Sequence, residues 1–200
     1  MTEVSARTVA EPGAGYQEVS RVAGGSEGAM AKALLVDDRR DNLIALEAIL
    51  QGLPVEPVAV ESGAAALKQL LIGDFAVILL DAQMPDMDGF ETASHIKQRE
   101  RTRHVPIIFL TAADRDAQLA LRGYAAGAVD YLTKPFDPWV LRAKVSVFVE
   151  LWNKSRQLEA HVEATRQLRT LVGAVDEAVA LLRTGGDPRL ALELLEKARP

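Results

Sequence analysis

Short apolar runs alternate with helical periodicity along most of this chain, and that alternation restricts it to very few folds. The runs are Ala33–Val36, Pro54–Val60, Phe75–Leu80, Val105–Leu110 and Ala128–Leu132. Each is too short for a helix and long enough for a buried strand. Between them, Leu43, Ile44, Leu46, Ile49 and Leu50 recur at helical spacing, and so do Ala66, Leu67, Leu70 and Leu71. A third helix follows Asp88 and Gly89, and a fourth is expected from Ala112 to about Gly127. Asp41 or Asn42 can cap the first helix, and Asp137 with Pro138 opens a long last one. Five such units predict an α/β fold, a parallel sheet covered by helices on both faces. Pro54 and Pro57 place the second strand at an edge, because proline cannot donate to a ladder.

Right-handed crossovers bring the carboxyl ends of the strands to one side of the sheet. The polar residues there are Asp37 and Asp38, Asp81, Thr111 and Lys134, none close to another group in sequence. Three carboxylates at one edge repel, and a hard divalent cation with oxygen ligands relieves that; Mg²⁺ suits such a site. Lysine and threonine beside it supply a positive charge and a hydroxyl donor for a phosphoryl group. Asp81 is then the nucleophile that forms an aspartyl phosphate. Taken singly, each residue reads as a cap, a turn residue or a surface side chain. Their conjunction at four strand ends is what points to chemistry.

Composition narrows the alternatives. The net charge is −5, with 28 acidic residues against 23 basic ones, which argues against non-specific nucleic-acid binding. The chain has no cysteine, which excludes disulfides and thiolate chemistry. No apolar run approaches ~20 residues, so no membrane span is expected, and a cytoplasmic location is the default. His95 and His104 lack metal-ligand spacing, and His161 is followed by Val162 rather than an acid.

The motifs LLVDD, LLDAQMPDMDGFE, FLTA and DYLTKPF, in that order, resemble the receiver domain of two-component response regulators over about residues 31–150. The resemblance implies a flavodoxin-like, doubly wound five-stranded sheet in the order 2-1-3-4-5. It implies that Asp81 is the phosphoacceptor and that Asp38, beside Asp37, binds Mg²⁺ directly together with Asp81 and the backbone carbonyl of Gln83. Thr111 and Tyr131 are the implied switch residues, Lys134 the phosphate-binding lysine, and Lys134–Pro135 a cis peptide. A sensor histidine kinase or a histidine phosphotransfer protein is the implied phosphoryl donor. The only catalysis implied is the chain's own phosphoryl transfer and slow dephosphorylation.

Residues 1–29, glycine-rich and without an apolar period, read as a disordered tail; residues 30–150 form the receiver, and 151–200 a helical extension. The helical pattern from Pro138 runs on to about Thr184, where Gly185, Gly186, Asp187 and Pro188 break it. Leu168, Val172, Val175, Val179 and Leu182 follow heptad spacing. Leu151, Leu158 and Val162 are offset from them by a stammer near Thr165. A short last helix follows Pro188. This pattern predicts a parallel homodimeric coiled coil or a helical hairpin assembly, with protein–protein interaction as the output. The alternative is a nucleic-acid-binding output, an antiterminator-like RNA reader or a DNA reader. The mixed charge and small size of residues 150–200 speak against it.

Overall fold

The computed structural model describes residues 30–112 and 129–198. Five parallel strands, β1 (Ala31–Val36), β2 (Val55–Val60), β3 (Val77–Asp81), β4 (Ile107–Ala112) and β5 (Asp130–Lys134), form one sheet in the order β2-β1-β3-β4-β5. The helices among the described residues are α1 (Arg40–Leu50), α2 (Gly63–Ile72), α3 (Gly89–Gln98), α4 (Pro138–Arg183) and α5 (Pro188–Lys197). The order is the expected one, with the proline-bearing β2 at an edge.

Strand side chains alternate between the two faces of the sheet, and both faces are dry. Ala33, Leu35, Val77, Leu79, Ile108 and Leu110 pack with α1 and the base of α4. Leu34, Val36, Ile78, Leu80, Ile107 and Phe109 pack with α2 and α3. The rings of Phe90 and Phe109 lie 4.8 Å apart in the second layer. Continuous apolar runs are what a sheet covered on both faces requires.

Several local expectations are corrected. β4 begins at Ile107, not Val105, because the Val105 N–H is taken by the Thr102 carbonyl in the preceding turn. β5 runs through Thr133 and Lys134, since its ladder pairs Ile108 with Asp130 and Ala112 with Lys134. Ala112 therefore belongs to β4, and the rest of the helix expected before Gly127 falls at 113–128, outside the described residues. The tail at 1–29 also lies outside them. Ile44 and Leu71 face solvent, 55% and 56% exposed. Each is one position, about 100°, from a buried neighbour on a 3.6-residue helix.

Local capping explains the helix starts. Ser62 accepts from the Ala65 N–H, Asp88 from Glu91, Asp137 from Trp139 and Asp187 from Arg189. Pro138 and Pro188 occupy first-turn positions of α4 and α5.

α4 has 46 residues and is therefore about 70 Å long. Leu141, Val145 and Val149 anchor its base in the core. It passes through residue 150 without a break. Beyond Ser155 nearly every side chain is exposed until α5 folds back beside it. The reversal is made by Gly185, at φ +77°, with Gly186 N–H donating to the Leu181 carbonyl and Gly185 N–H to that of Leu182. None of the helices among the described residues is long and apolar enough to cross a membrane.

A core test follows from these layers. Leu79 is fully buried and Ile72 is 80% exposed. Leu79→Ala is expected to lower unfolding free energy by about 3 kcal/mol. Ile72→Ala should change it by less than ~0.5 kcal/mol. Urea titration followed by circular dichroism measures both.

Candidate functional site

The strand ends place their polar residues as the topology requires. Asp37 directly follows β1, Asp81 is the last residue of β3, and Lys134 is the last of β5. Asp37 is fully buried and Asp81 nearly so, at 8% exposure. The Lys134 ammonium donates to Asp37 Oδ2 at 2.7 Å and to Asp81 Oδ1 at 2.9 Å. It thus links strands that are not adjacent in the sheet. Asp38 points to solvent at the rim, yet one carboxylate oxygen from each of Asp37, Asp38 and Asp81 falls within 4.8 Å of the others.

Burial raises the pKa of Asp81 above its ordinary value. The hydrogen bond and charge of Lys134 pull it down, and Asp37 and Asp38 push it up again, so the rise persists. Burial works against the charge on Lys134, but its bonds to Asp37 and Asp81 prevail and its pKa is raised. The lysine therefore stays charged, and Asp81 is a carboxylate short of solvation.

Sequence reading missed Asn42. It was expected to cap α1, but the N-cap is Arg39, and no side chain caps it. Asn42 instead lies in the first turn and donates from Nδ2 to both oxygens of Asp37, at 2.8 and 2.9 Å. The Arg39 N–H also donates to Asp37, at 3.0 Å. These contacts fix one carboxylate while leaving Asp81 with fewer partners. Nothing in its spacing marks this role apart from that of an ordinary cap.

Gly89 was likewise read only as a helix start. A Cβ there would lie 2.2 Å from the Asp81 carbonyl oxygen and 2.9 Å from Ala82 Cα. The Gly89 N–H donates to the Ala82 carbonyl at 3.1 Å, closing the loop that carries Gln83 back onto the strand end. In that loop Asp86 adopts φ 65°, a turn conformation tolerated by Asp. Gln83 lies in the loop directly after the strand, exposed.

Thr111 stands one residue beyond Leu110, the partner of Asp81 in the β3–β4 ladder, and is half-buried. Tyr131 lies in β5 opposite Phe109, 42% exposed. Both are held in contacts with their surroundings. The Lys134–Pro135 peptide is cis. His95, His104 and His161 are remote from this constellation in sequence position and element.

The donor set fits a hard cation: carboxylate oxygens, no sulfur or imidazole, and an exposed rim at Asp38 where water can complete the shell. The arrangement can present one poorly solvated carboxylate beside a fixed ammonium, the pairing an attacked phosphoryl group needs.

Comparison with known proteins bears on this geometry. The sequence model of a family described as "Response regulator receiver domain" matches residues 33–146. A "Probable cyclic di-GMP phosphodiesterase" of Vibrio cholerae is 34% identical, with 81% of this chain covering 38% of that protein. "Response regulator PleD" of Caulobacter vibrioides is 33% identical, over 72% of this chain and 32% of PleD. The chain thus spans about a third of the length of these curated relatives. Among solved structures, the chemotaxis protein CheY4 of Vibrio cholerae superposes with TM-score 0.56 at 31% identity, covering 60% of this chain and 99% of CheY4. Response regulator DrrB of Thermotoga maritima gives 0.54 at 35% identity, over 60% of this chain and 53% of DrrB.

The Gly89 contact yields a paired test. Gly89→Ala must displace backbone at Asp81 and is expected to destabilise by about 2 kcal/mol. Gly173→Ala, in the interior of α4 with nothing within 4 Å of the new methyl, should stabilise by ~0.5–1 kcal/mol. Thermal melts of the two variants check the opposite signs.

Proposed function

The chain belongs to the response regulator receiver family, and from that premise we propose that it is phosphorylated on Asp81 by a sensor histidine kinase or a histidine phosphotransfer protein. The single observation that carries this reading is the Lys134 ammonium held between Asp37 and Asp81. In the transfer, an Asp81 carboxylate oxygen attacks the phosphorus of a phosphohistidine; the new O–P bond forms as the P–N bond breaks, and the imidazole leaves. Lys134 pairs with the transferring phosphoryl oxygens, and the Thr111 hydroxyl donates to one of them. Asp37, fixed by Asn42 and Arg39, holds Lys134 in place. Asp37, Asp38, Asp81 and the backbone carbonyl of Gln83 are the residues that would hold Mg²⁺. When bound, it supplies neutralising charge to the phosphoryl oxygens.

The readout is a shift in population between two arrangements of β4 and β5 and the base of α4, with Thr111 and Tyr131 as the switch residues. Residues 30–150 act as the receiver and 151–200 as an extension that contacts protein partners. PleD and the V. cholerae relative carry further chain of their own. The charge on this chain's extension is mixed, which supports a protein surface over a nucleic-acid one.

Acetyl phosphate with Mg²⁺ tests the assignment. Wild-type chain is expected to gain one phosphoryl group by mass spectrometry, and Asp81→Asn none. Labelling of Asp81→Asn at the wild-type level sinks the proposal. Lys134→Ala should slow labelling by about 100-fold or more, the scale of losing a charge aimed at the reacting group.

Cation binding is tested separately. Adding Mg²⁺ should raise the melting temperature of the wild-type chain, since a ligand that binds only the folded state stabilises it. Asp38→Asn should remove most of that rise while leaving the metal-free melt nearly unchanged, because Asp38 is exposed.

A further inference from the structure

α5 does not cover the seam of α4 that the heptad spacing picks out. It packs on the neighbouring one. The α4 residues turned towards α5 are Leu171, Ala174, Ala178 and Leu181, and the α5 residues turned towards α4 are Ala191 and Leu194. Ala178 and Ala191 are each 3% exposed, the close point of the hairpin. The residue after each of these is apolar and open to solvent. On α4 these are Val172, Val175, Val179 and Leu182, 42–58% exposed. On α5 they are Leu192 at 58% and Leu195 at 37%.

One position along a helix turns the side chain by about 100°. The two helices run antiparallel, so their senses of rotation mirror each other when viewed along one axis. The exposed rows therefore emerge on the same side of the hairpin. With Leu168, also 62% exposed, they make one apolar face two helices wide, with no charged residue within it. Val and Leu side chains half-exposed in this number offer roughly 600 Å², the upper end of what the largest apolar patch on a monomer usually reaches. Two such faces together bury ~1,200 Å², the lower end of the range for stable protein interfaces.

We propose that this face is closed by the same face of a second copy of the chain, giving a four-helix bundle at the tip of two parallel α4 helices. A charge-free face is self-complementary, as a two-fold interface must be. The parallel sense follows from the rest of the helix. Leu151, Leu158 and Val162, 54–64% exposed, carry the apolar row back towards the sheet; Leu151 and Leu158 lie whole heptads before Val172 and Val179, so the expected stammer does not offset them. Only a parallel pair covers that row along its whole length. α5, ten residues long, is too short to be stable alone, so its stability comes from packing. The inference rests on the reading of the extension as a protein-contacting surface, and it names the contact.

Size exclusion with light scattering on the full chain is expected to give twice the 21.6 kDa chain mass. Val175→Glu on α4, and Leu192→Glu with Leu195→Glu on α5, should each weaken the dimer by about tenfold or more, since each buries charge in an apolar seam. The chain has no cysteine, so single substitutions report on direction. Val162→Cys and Leu182→Cys, ~30 Å apart along α4, should each crosslink to its own copy. A monomer at all concentrations overturns the inference. A dimer indifferent to the α5 substitutions overturns the four-helix face, and failure of both cysteines to self-crosslink overturns the parallel sense. Acetyl phosphate labelling of the same samples keeps this result separate: a monomer that still labels on Asp81 rejects the second copy and leaves the phosphoryl reading standing.

Discussion

Lys134 sits between two buried acids, and the chemistry at the sheet edge depends on that one cation. Without it, Asp37 and Asp81 would face each other at the end of a dry sheet with Asp38 close by. Two desolvated like charges at that range repel by several kcal/mol even at a generous effective dielectric. The lysine offsets this without quenching the site, because it divides its bonds. Asp37 takes further donors from Asn42 and the Arg39 backbone. Asp81 receives Lys134 on one oxygen. The result is an asymmetric pair, with one acid spent on structure and the other held in readiness.

That asymmetry accounts for how much was legible in the sequence. The fold was legible because both faces of the sheet demand apolar side chains, so each strand appears as an unbroken run ending in a polar residue. Runs of this kind locate strands well and their ends poorly. Thr133 and Lys134 look like loop, and they become strand through the ladder that pairs them with Thr111 and Ala112. The helix faces were misjudged for a related reason. Ile44 and Leu71 are apolar in sequence and exposed in the fold, because packing chooses a narrower arc than apolarity marks.

At the site, Asp37, Asp38, Asp81, Thr111 and Lys134 were readable from topology, since residues at strand ends must converge. Asn42 and Gly89 were not. Their roles come from contacts across a turn, where Asn42 reaches back to Asp37 and Gly89 comes within a methyl's width of the Asp81 backbone. Caps and glycines are so common at helix starts that nothing in their spacing separates a positioning role from an ordinary one. Distances decide it.

The position of α4 gives the site a mechanical consequence. Only Pro135, Phe136 and Asp137 separate Lys134 from the first turn of the helix. Leu141, Val145 and Val149 fix that base on the sheet face that also carries Leu79 and Leu110, two residues before Asp81 and one before Thr111 in their strands. A rearrangement at Lys134 or Thr111 is therefore felt at the base of a helix about 70 Å long. A rotation of a few degrees there moves the far end by several ångströms, because displacement grows with distance from the pivot. A continuous helix transmits such a rotation. A flexible linker of equal length would absorb it, which gives a physical reason for the chain to continue as helix where its own core has ended.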